Sequence, residues 1–462
     1  MLGICFELSA LSFELRAAEP LKLHPENPHY FQWRGKPTLL ITSGEHYGTV
    51  LNADFDYVKY LDTLAKDGLN LTRTFTGVYC EHPTAFNITS NTLAPAPGRL
   101  LAPWARSDAP GYANGGNKFD LTKWDEAYFH RLKDFVAQAG TRGVVVELAF
   151  FCPFYKDEMW ALSPMNAGNN INGLGSISRT NVHTLDKHDG LLAVQEALVR
   201  KVVTELRDAD NVLWEICNEP NFGGVTLEWQ HRIADVIAET EKSFPAKHLI
   251  SQNIANGRRK ITNPHPAVSV FNFHYASPPD AVAMNFALNK PIGDNETGFK
   301  GTGDAHYRME AWEFILAGGA LYNNLDYSFT VGHEDGTFQY PPKQPGGGNP
   351  AFRKQMKVLR DFMESFEFVR MKPDKSFIKS PLQPGQRVSV MSEPGRQYAL
   401  YFNGGNEAAL TLTLPKGNYK VEWVCELTCE IEQREELQHP GGDAILQPKK
   451  YKNEIALRIL AK

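Results

Sequence analysis

Several absences narrow the possibilities before any motif is considered. The 462 residues include only six cysteines, too few and too scattered for a disulfide framework, and neither Cys nor His recurs at zinc-finger spacing. Cys152 and Cys217 lie in apolar runs and read as buried thiols; Cys425 and Cys429, four apart in a β-rich stretch, either pair or stay free. There is no P-loop and no G-x-G-x-x-G, so no nucleotide cradle is announced. Basic residues number 48 against 53 acidic, a net charge of −5 without any Lys/Arg block, which argues against a nucleic-acid partner. No run approaches the ~18 consecutive apolar residues of a membrane span. No internal repeat is visible.

What is present is the composition of a globular protein: at 42% hydrophobic and 22% charged, the chain is neither disordered nor fibrous. Its length admits two or three domains and a large core. The 11% aromatic content suits that core, and equally a site that stacks flat apolar faces. Residues 1–20 are apolar and end in Arg16-Ala17-Ala18-Glu19-Pro20, yet Glu7 and Glu14 interrupt them and no basic residue leads. They read either as a degenerate export signal, implying a secreted or periplasmic protein, or as a disordered N-terminus.

From there strand-like and helix-like segments alternate. Apolar strands are expected at 38–43, 69–75, 144–151, 212–217, 248–253, 268–273, 290–294 and 321–327. Helical stripes fall between them at 54–67, 121–140, 191–207, 226–241, 279–288 and 304–317, with another at 351–366. The stretch 254–266 has little helical pattern and is the weakest crossover. Eight buried strands joined by crossover helices describe an α/β protein of the (β/α)₈ TIM-barrel type over residues 21–375. A doubly wound open sheet is the alternative. Beyond it, Tyr398/Leu400/Phe402, Leu410/Leu412/Leu414 and Ile455/Leu457/Ile459 alternate with period two, predicting a C-terminal antiparallel β-sandwich over 376–462.

Reactive groups of such barrels sit at the C-terminal ends of the strands. The fourth strand runs into Asn218-Glu219-Pro220, and the seventh into Asp294-Asn295-Glu296-Thr297-Gly298. Two carboxyls at one barrel mouth suit glycoside hydrolysis, in which one delivers a proton to the leaving oxygen and the other, ionised, attacks the anomeric carbon. A single Glu after a strand is more often a cap or a salt-bridge partner; the pair is what points to chemistry.

Asn218-Glu219-Pro220 on strand four together with Glu296 on strand seven resembles glycoside hydrolase clan A, the cellulase-like retaining (β/α)₈ glycosidases. The segment from Asn27-Pro28-His29-Tyr30 to Gly35-Lys36-Pro37 is similar to that group's opening hairpin, and Asn70-Leu71-Thr72-Arg73 to its second strand. The resemblance covers about residues 25–370 and implies Glu219 as general acid/base and Glu296 as nucleophile. It further implies that Asn218 contacts the sugar 2-hydroxyl, that Arg73 lies beneath the nucleophile, and that His274 and Tyr275 hold substrate and nucleophile. Adjacent strand residues point to opposite faces, however, so both reach one site only if the strand has ended.

Where relatives carry a Trp on strand eight, this chain has Asp326-Tyr327, so either Tyr327 stacks on the sugar or Trp104 or Trp160 folds in from an insertion. Asp326 would then bind hydroxyls in a closed pocket. Glu45 and His46, ending strand one, are candidates for the non-reducing-end hydroxyls, although a buried pair shaping the barrel is the plainer reading of His46. Asn253, Asn256, Glu147 and Asp294 have weaker claims. Insertions at 77–118, 153–188 and 332–350 crowd the same rim and favour an enclosed substrate. The expected partner is a carbohydrate, with no metal or organic cofactor. The competing readings are a non-catalytic carbohydrate-binding protein on the same scaffold, and a metal-dependent barrel isomerase or lyase, for which His46, His274 and Asp326 are only scattered ligands.

Overall fold

A computed structural model of the chain describes residues 19–447 and 449–462. Except for Glu19 and Pro20, the segment read as an export signal or disordered tail lies outside the described residues. Eight parallel strands form the barrel: β1 (Leu40–Gly44), β2 (Leu71–Phe75), β3 (Val145–Phe151), β4 (Val212–Cys217), β5 (Leu249–Asn256), β6 (Val270–His274), β7 (Ile292–Thr297) and β8 (Leu321–Leu325). Except at the end of β5, their residues are buried on both faces, as apolar runs between a packed interior and a helical jacket must be. Hydrogen bonding runs β1-β8-β7-β6-β5-β4-β3-β2. The remaining seam, between β1 and β2, is bridged by a side chain. The Asn70 amide donates to the Leu39 carbonyl (2.8 Å) and accepts from the Ile41 N–H (2.9 Å), supplying the bonds that a backbone ladder would.

The jacket consists of α1 (Tyr57–Lys66), α2 (Glu126–Thr141), α3 (Leu191–Glu205), α4 (Leu227–Glu241), α5 (Asp280–Asn285), α6 (Asp304–Leu316) and α7 (Pro350–Glu364). Asp56, Asp125, Thr226 and Asn349 cap α1, α2, α4 and α7 by accepting N–H bonds of the first turn. Among the described residues no helix joins β5 to β6, in keeping with the featureless pattern of 254–266. Among the described residues no helix is long and apolar enough to cross a membrane.

Several boundaries differ from expectation, three of them most clearly. Residues 121–124 belong to a strand, Asn117–Trp124, that pairs antiparallel with Trp104–Pro110 inside the 77–118 insertion, and the helix starts only after the Asp125 cap. Strand seven runs on to Thr297, so Glu296 lies within it and not beyond it. Strand six begins at Val270 and ends at His274, which bears on the site.

In the C-terminal region β9 (Arg387–Glu393), β10 (Gln397–Asn403), β11 (Gly417–Val424), β12 (Ile431–His439) and β13 (Glu454–Ala461) form an antiparallel sheet in the order β9-β10-β13-β11-β12. Thr411–Leu414 pairs with Gly442–Ile445 in a smaller ribbon. Leu400, Phe402, Trp423, Leu457 and Ile459 fill an apolar cluster separate from the barrel's. The alternate residues Ala399, Tyr401 and Ala456 join the barrel's own cluster. Tyr401 stacks on Trp312 of α6 (5.1 Å, 19°), and Arg308 of α6 pairs with Glu454 (2.9 Å from Nε). Strand β10 is therefore covered on both faces. Cys425 and Cys429 are free thiols.

Candidate active site

The strand ends bring a layered set of charges to the barrel mouth. Deepest is Arg73 of β2, fully buried, whose guanidinium grips Glu215 of β4 through two 2.6 Å bonds. Its remaining donors reach upward, to Asn218 Oδ1 (2.6 Å) and to Glu296 Oε2 (3.2 Å). The planar fork suits this task, because it meets several acceptors from one rigid position. The Tyr47 ring covers it at 4.5 Å.

Both oxygens of Glu296 are engaged. Oε2 accepts from the Tyr47 hydroxyl (2.8 Å) and from Arg73; Oε1 accepts from the Tyr275 hydroxyl (2.6 Å) and lies 3.4 Å from His274 Nδ1. Burial alone would raise this carboxyl, but the His274 and Arg73 charges and their hydrogen bonds outweigh it and hold Glu296 well below the usual carboxylate range. His274 is perturbed the other way. Burial opposes its charge, yet Glu296 and Glu219 push its pKa up to about 10. That direction favours the charged ring, with Nδ1 turned toward the carboxyls and Nε2 buried without a partner.

Glu219 faces Glu296 across that ring. Its Oε2 accepts from the Tyr155 hydroxyl (2.6 Å), and its Oε1 from Asn256 Nδ2 (2.8 Å), with His274 Nδ1 at 3.3 Å. Oxygens of Glu219 and Glu296 and the His274 nitrogen all lie within 4.8 Å of one another. Among the described residues this is the one group whose donors converge closely enough for a metal ion. His274 Nδ1 thus stands between the two carboxyl groups, 3.3 Å from Glu219 and 3.4 Å from Glu296.

Adjacent His274 and Tyr275 both serve the site because the strand has ended. The backbone of Tyr275 turns into the left-handed region (φ 54°), swinging its side chain back toward Glu296. Tyr47 (φ 62°), Phe86 (φ 52°) and Glu219 (φ 33°) also line the pocket with positive φ. Such conformations cost about 1–3 kcal/mol each and persist where surrounding structure imposes them.

The carboxyls open into a cavity of about 230 Å³ walled by Phe75, Phe86, Tyr155 and Phe299. Of the residues singled out from sequence, Asn218, Glu219, Glu296, Tyr275 and His46 line it. Arg73 and His274 stand behind it, in contact with the carboxylates. Tyr327 is buried against the His46 ring (5.8 Å).

Two substrate-binding expectations need correction. The Glu45 carboxylate is turned inward and consumed by the N–H groups of Gly48 and Thr49 (3.0 Å each) and by Thr92 Oγ1 (2.6 Å), so it shapes the loop after β1. Asp326 is fully buried in an ion pair with Arg353 (2.7 Å), its other oxygen taken by Ser328, so no acceptor is left for a sugar. Trp104 and Trp160 also lie away from the pocket; Trp104 stacks on Trp124, and the Trp160 indole donates to the Ile177 carbonyl. Glu147 sits below the site, bonded to Ser251, Asn272 and Asn295, and burial followed by Glu215 pushes it up to about 7.

Sequence reasoning passed over Tyr47, Tyr155 and Glu81 and gave Asn256 little weight. Tyr155 and Glu81 come from the irregular insertions, which have no periodicity to read. For Tyr47 the only signal was its place in Gly44-Glu45-His46-Tyr47 at a strand end.

No protein-family model and no curated protein matches this sequence. Solved structures match its fold. A Bacteroides vulgatus protein provisionally described as a glycoside hydrolase aligns at TM-score 0.66 and 14% identity, over 96% of this chain and 82% of its own. Another glycoside hydrolase gives 0.64 at 15% identity, over 96% and 97%. A glycoside hydrolase family 5 structure from Bacteroides vulgatus gives 0.62 at 14%, over 96% and 95%. The chain therefore has the fold of clan A glycoside hydrolases, an eight-stranded parallel barrel with antiparallel sheets at its C-terminal end.

Proposed function

We propose that the protein is a retaining glycoside hydrolase that cleaves a β-linked glycoside or oligosaccharide by double displacement. The observation that carries this reading is the approach of Glu219 and Glu296, with oxygens within 4.8 Å. That is in keeping with the ~5–5.5 Å of retaining pairs and short of the ~6.5–9.5 Å that leaves room for an inverting water.

Glu296, held ionised by His274 and Arg73, attacks the anomeric carbon. The C1–O bond to the leaving group breaks as Glu219 passes its proton to the departing oxygen. Water then enters, gives its proton to Glu219 and displaces Glu296 from C1, restoring both groups. The Tyr155 hydroxyl fits a residue that changes protonation state, since a phenol can donate to a carboxylate or accept from a carboxylic acid. Asn218, whose carbonyl oxygen is fixed by Arg73 and whose amide donates to Tyr155 (2.8 Å), is oriented to meet the 2-hydroxyl. A panel of aryl β-glycosides and polysaccharides, with the first product anomer read by NMR, tests the reading. Release of the β-anomer supports retention, the α-anomer overturns it, and binding without product would favour a carbohydrate-binding protein.

A further inference from the structure

At the pocket wall formed by the residues after β1 and by the 77–118 insertion, an unpartnered histidine lies beside a buried carboxylate. His46 is 7% exposed and lines the cavity, yet neither ring nitrogen makes a hydrogen bond. Glu81 also lines the cavity and is 5% exposed, with its nearest carboxylate oxygen 3.5 Å from His46 Nε2. Tyr79 (2.9 Å) and Asn91 (2.5 Å) fix that carboxylate from behind, and the Glu81 N–H is tied to the Leu93 carbonyl (2.8 Å). The Tyr327 hydroxyl, next to His46, is a second buried group with no partner. Burial and then the Glu296 and Glu81 carboxylates keep its proton in place, so it is a donor.

Buried polar groups are ordinarily satisfied, so an unpartnered His46 at the cavity wall with the Glu81 carboxylate beside it is shaped for a polar ligand. The set has a definite position. His46 stacks on Tyr47 (5.4 Å), whose hydroxyl holds Glu296, whereas Glu219 is held by Tyr155 and Asn256. A sugar whose anomeric carbon meets Glu296 therefore extends its far hydroxyls toward His46 and Glu81. Beyond them lie the buried Leu93 and the anchors Tyr79 and Asn91, so that end of the cavity backs onto packed protein. On the other side Phe222, beside Tyr155 (5.8 Å) and 45% exposed, offers an open apolar rim for a leaving group.

We infer that His46 and Glu81, with Tyr327, clamp adjacent hydroxyls of a terminal sugar, so that the enzyme removes single units from the non-reducing end. Glu81 accepts from one hydroxyl, and His46 and Tyr327 donate to its neighbour. This rests on the hydrolase reading above, and the experiment separates the two. Wild-type enzyme is given a reducing-end-labelled β-linked oligosaccharide that the glycoside panel identifies as a substrate, and early products are sized. Monosaccharide released one unit at a time from the unlabelled end is expected; internal fragments would overturn the clamp while leaving hydrolysis intact. No turnover of any glycoside would overturn both.

Glu81→Gln and Glu81→Ala are then compared with wild type on the matched aryl glycoside and its deoxy analogues. A kcat/KM loss of roughly tenfold to a hundredfold is expected for the parent sugar, the size of a lost hydrogen bond to a charged group. The loss should shrink for the analogue lacking the clamped hydroxyl. An equal loss on every analogue would mean that Glu81 is structural and would overturn the assignment; so would no loss at all. The wild-type product pattern needs no variant and decides the matter even if Glu81 variants fail to fold.

Discussion

The barrel mouth and the C-terminal sheets are built on opposite terms. In the sheets, residues follow their local preferences: β-branched and aromatic side chains alternate, and Trp423, Leu400 and Leu457 fill a cluster made of little but carbon. At the mouth, residues are held against preference. Four non-glycine residues take positive φ, Arg73 and three glutamates are buried together, and His46 and Tyr327 lack partners. The sheets spend their contacts on stability, whereas the mouth keeps charges oriented in a buried site where they act strongly. Function and stability should therefore separate cleanly when each region is mutated.

The largest effect should come from the carboxyls. Glu296→Gln should abolish turnover of any glycoside the wild type cleaves, and Glu219→Gln should lower kcat by ~10²–10⁴-fold, the usual contribution of a general acid/base. In Glu219→Gln thermal melting should stay close to wild type, because an amide oxygen still accepts from the Tyr155 hydroxyl. Wild-type rates in either variant would remove the proposed roles.

Trp423→Ala probes the opposite term. Loss of about 3–5 kcal/mol, the scale of a large core truncation, is expected from denaturant unfolding, with kcat per folded molecule unchanged. A larger stability loss from Glu219→Gln than from Trp423→Ala would break the comparison.

The charge bridge predicts a pH signature. Because its folded pKa of about 10 lies above the ordinary 6.5, His274 contributes stability that is fully present below about pH 6.5 and is lost as pH rises through about 10. Glu296, depressed by its partners, contributes stability present above about pH 4.5 and lost as pH falls below that. The difference in melting temperature between wild type and His274→Gln should be greatest between those limits and fade toward pH 10. A difference that does not vary with pH would mean that His274 is not charged.

The smallest effect sharpens the picture. Tyr155→Phe removes one hydrogen bond from Glu219, and a loss of roughly tenfold in kcat/KM with a shifted basic limb of the pH–rate profile is expected. An unchanged profile would reduce Tyr155 to packing.

Much of this was legible in the chain because strands and helices carry periodic apolar signals. Asn218-Glu219-Pro220 was legible for the same reason: it closes a buried run, and barrel geometry assigns a run's end to the mouth. Glu45 and Asp326 met the same positional criterion and misled, since position says nothing about which way a side chain turns or whether Thr92 or Arg353 has already claimed it. The amphipathic reading of β10 was incomplete for a related reason, because its second face meets α6 from a distant part of the chain.

Amino-acid order alone determined the sequence of elements, the barrel class and the two strands that bear Glu219 and Glu296, because these follow from local periodicity and strand ends. Only the tertiary structure decided that His274 is wedged between those carboxyls, that Tyr47, Tyr155 and Glu81 join them, and that Asp326 and Glu45 do not. Those outcomes depend on contacts between residues far apart in the chain and on backbone turns that packing imposes against local preference.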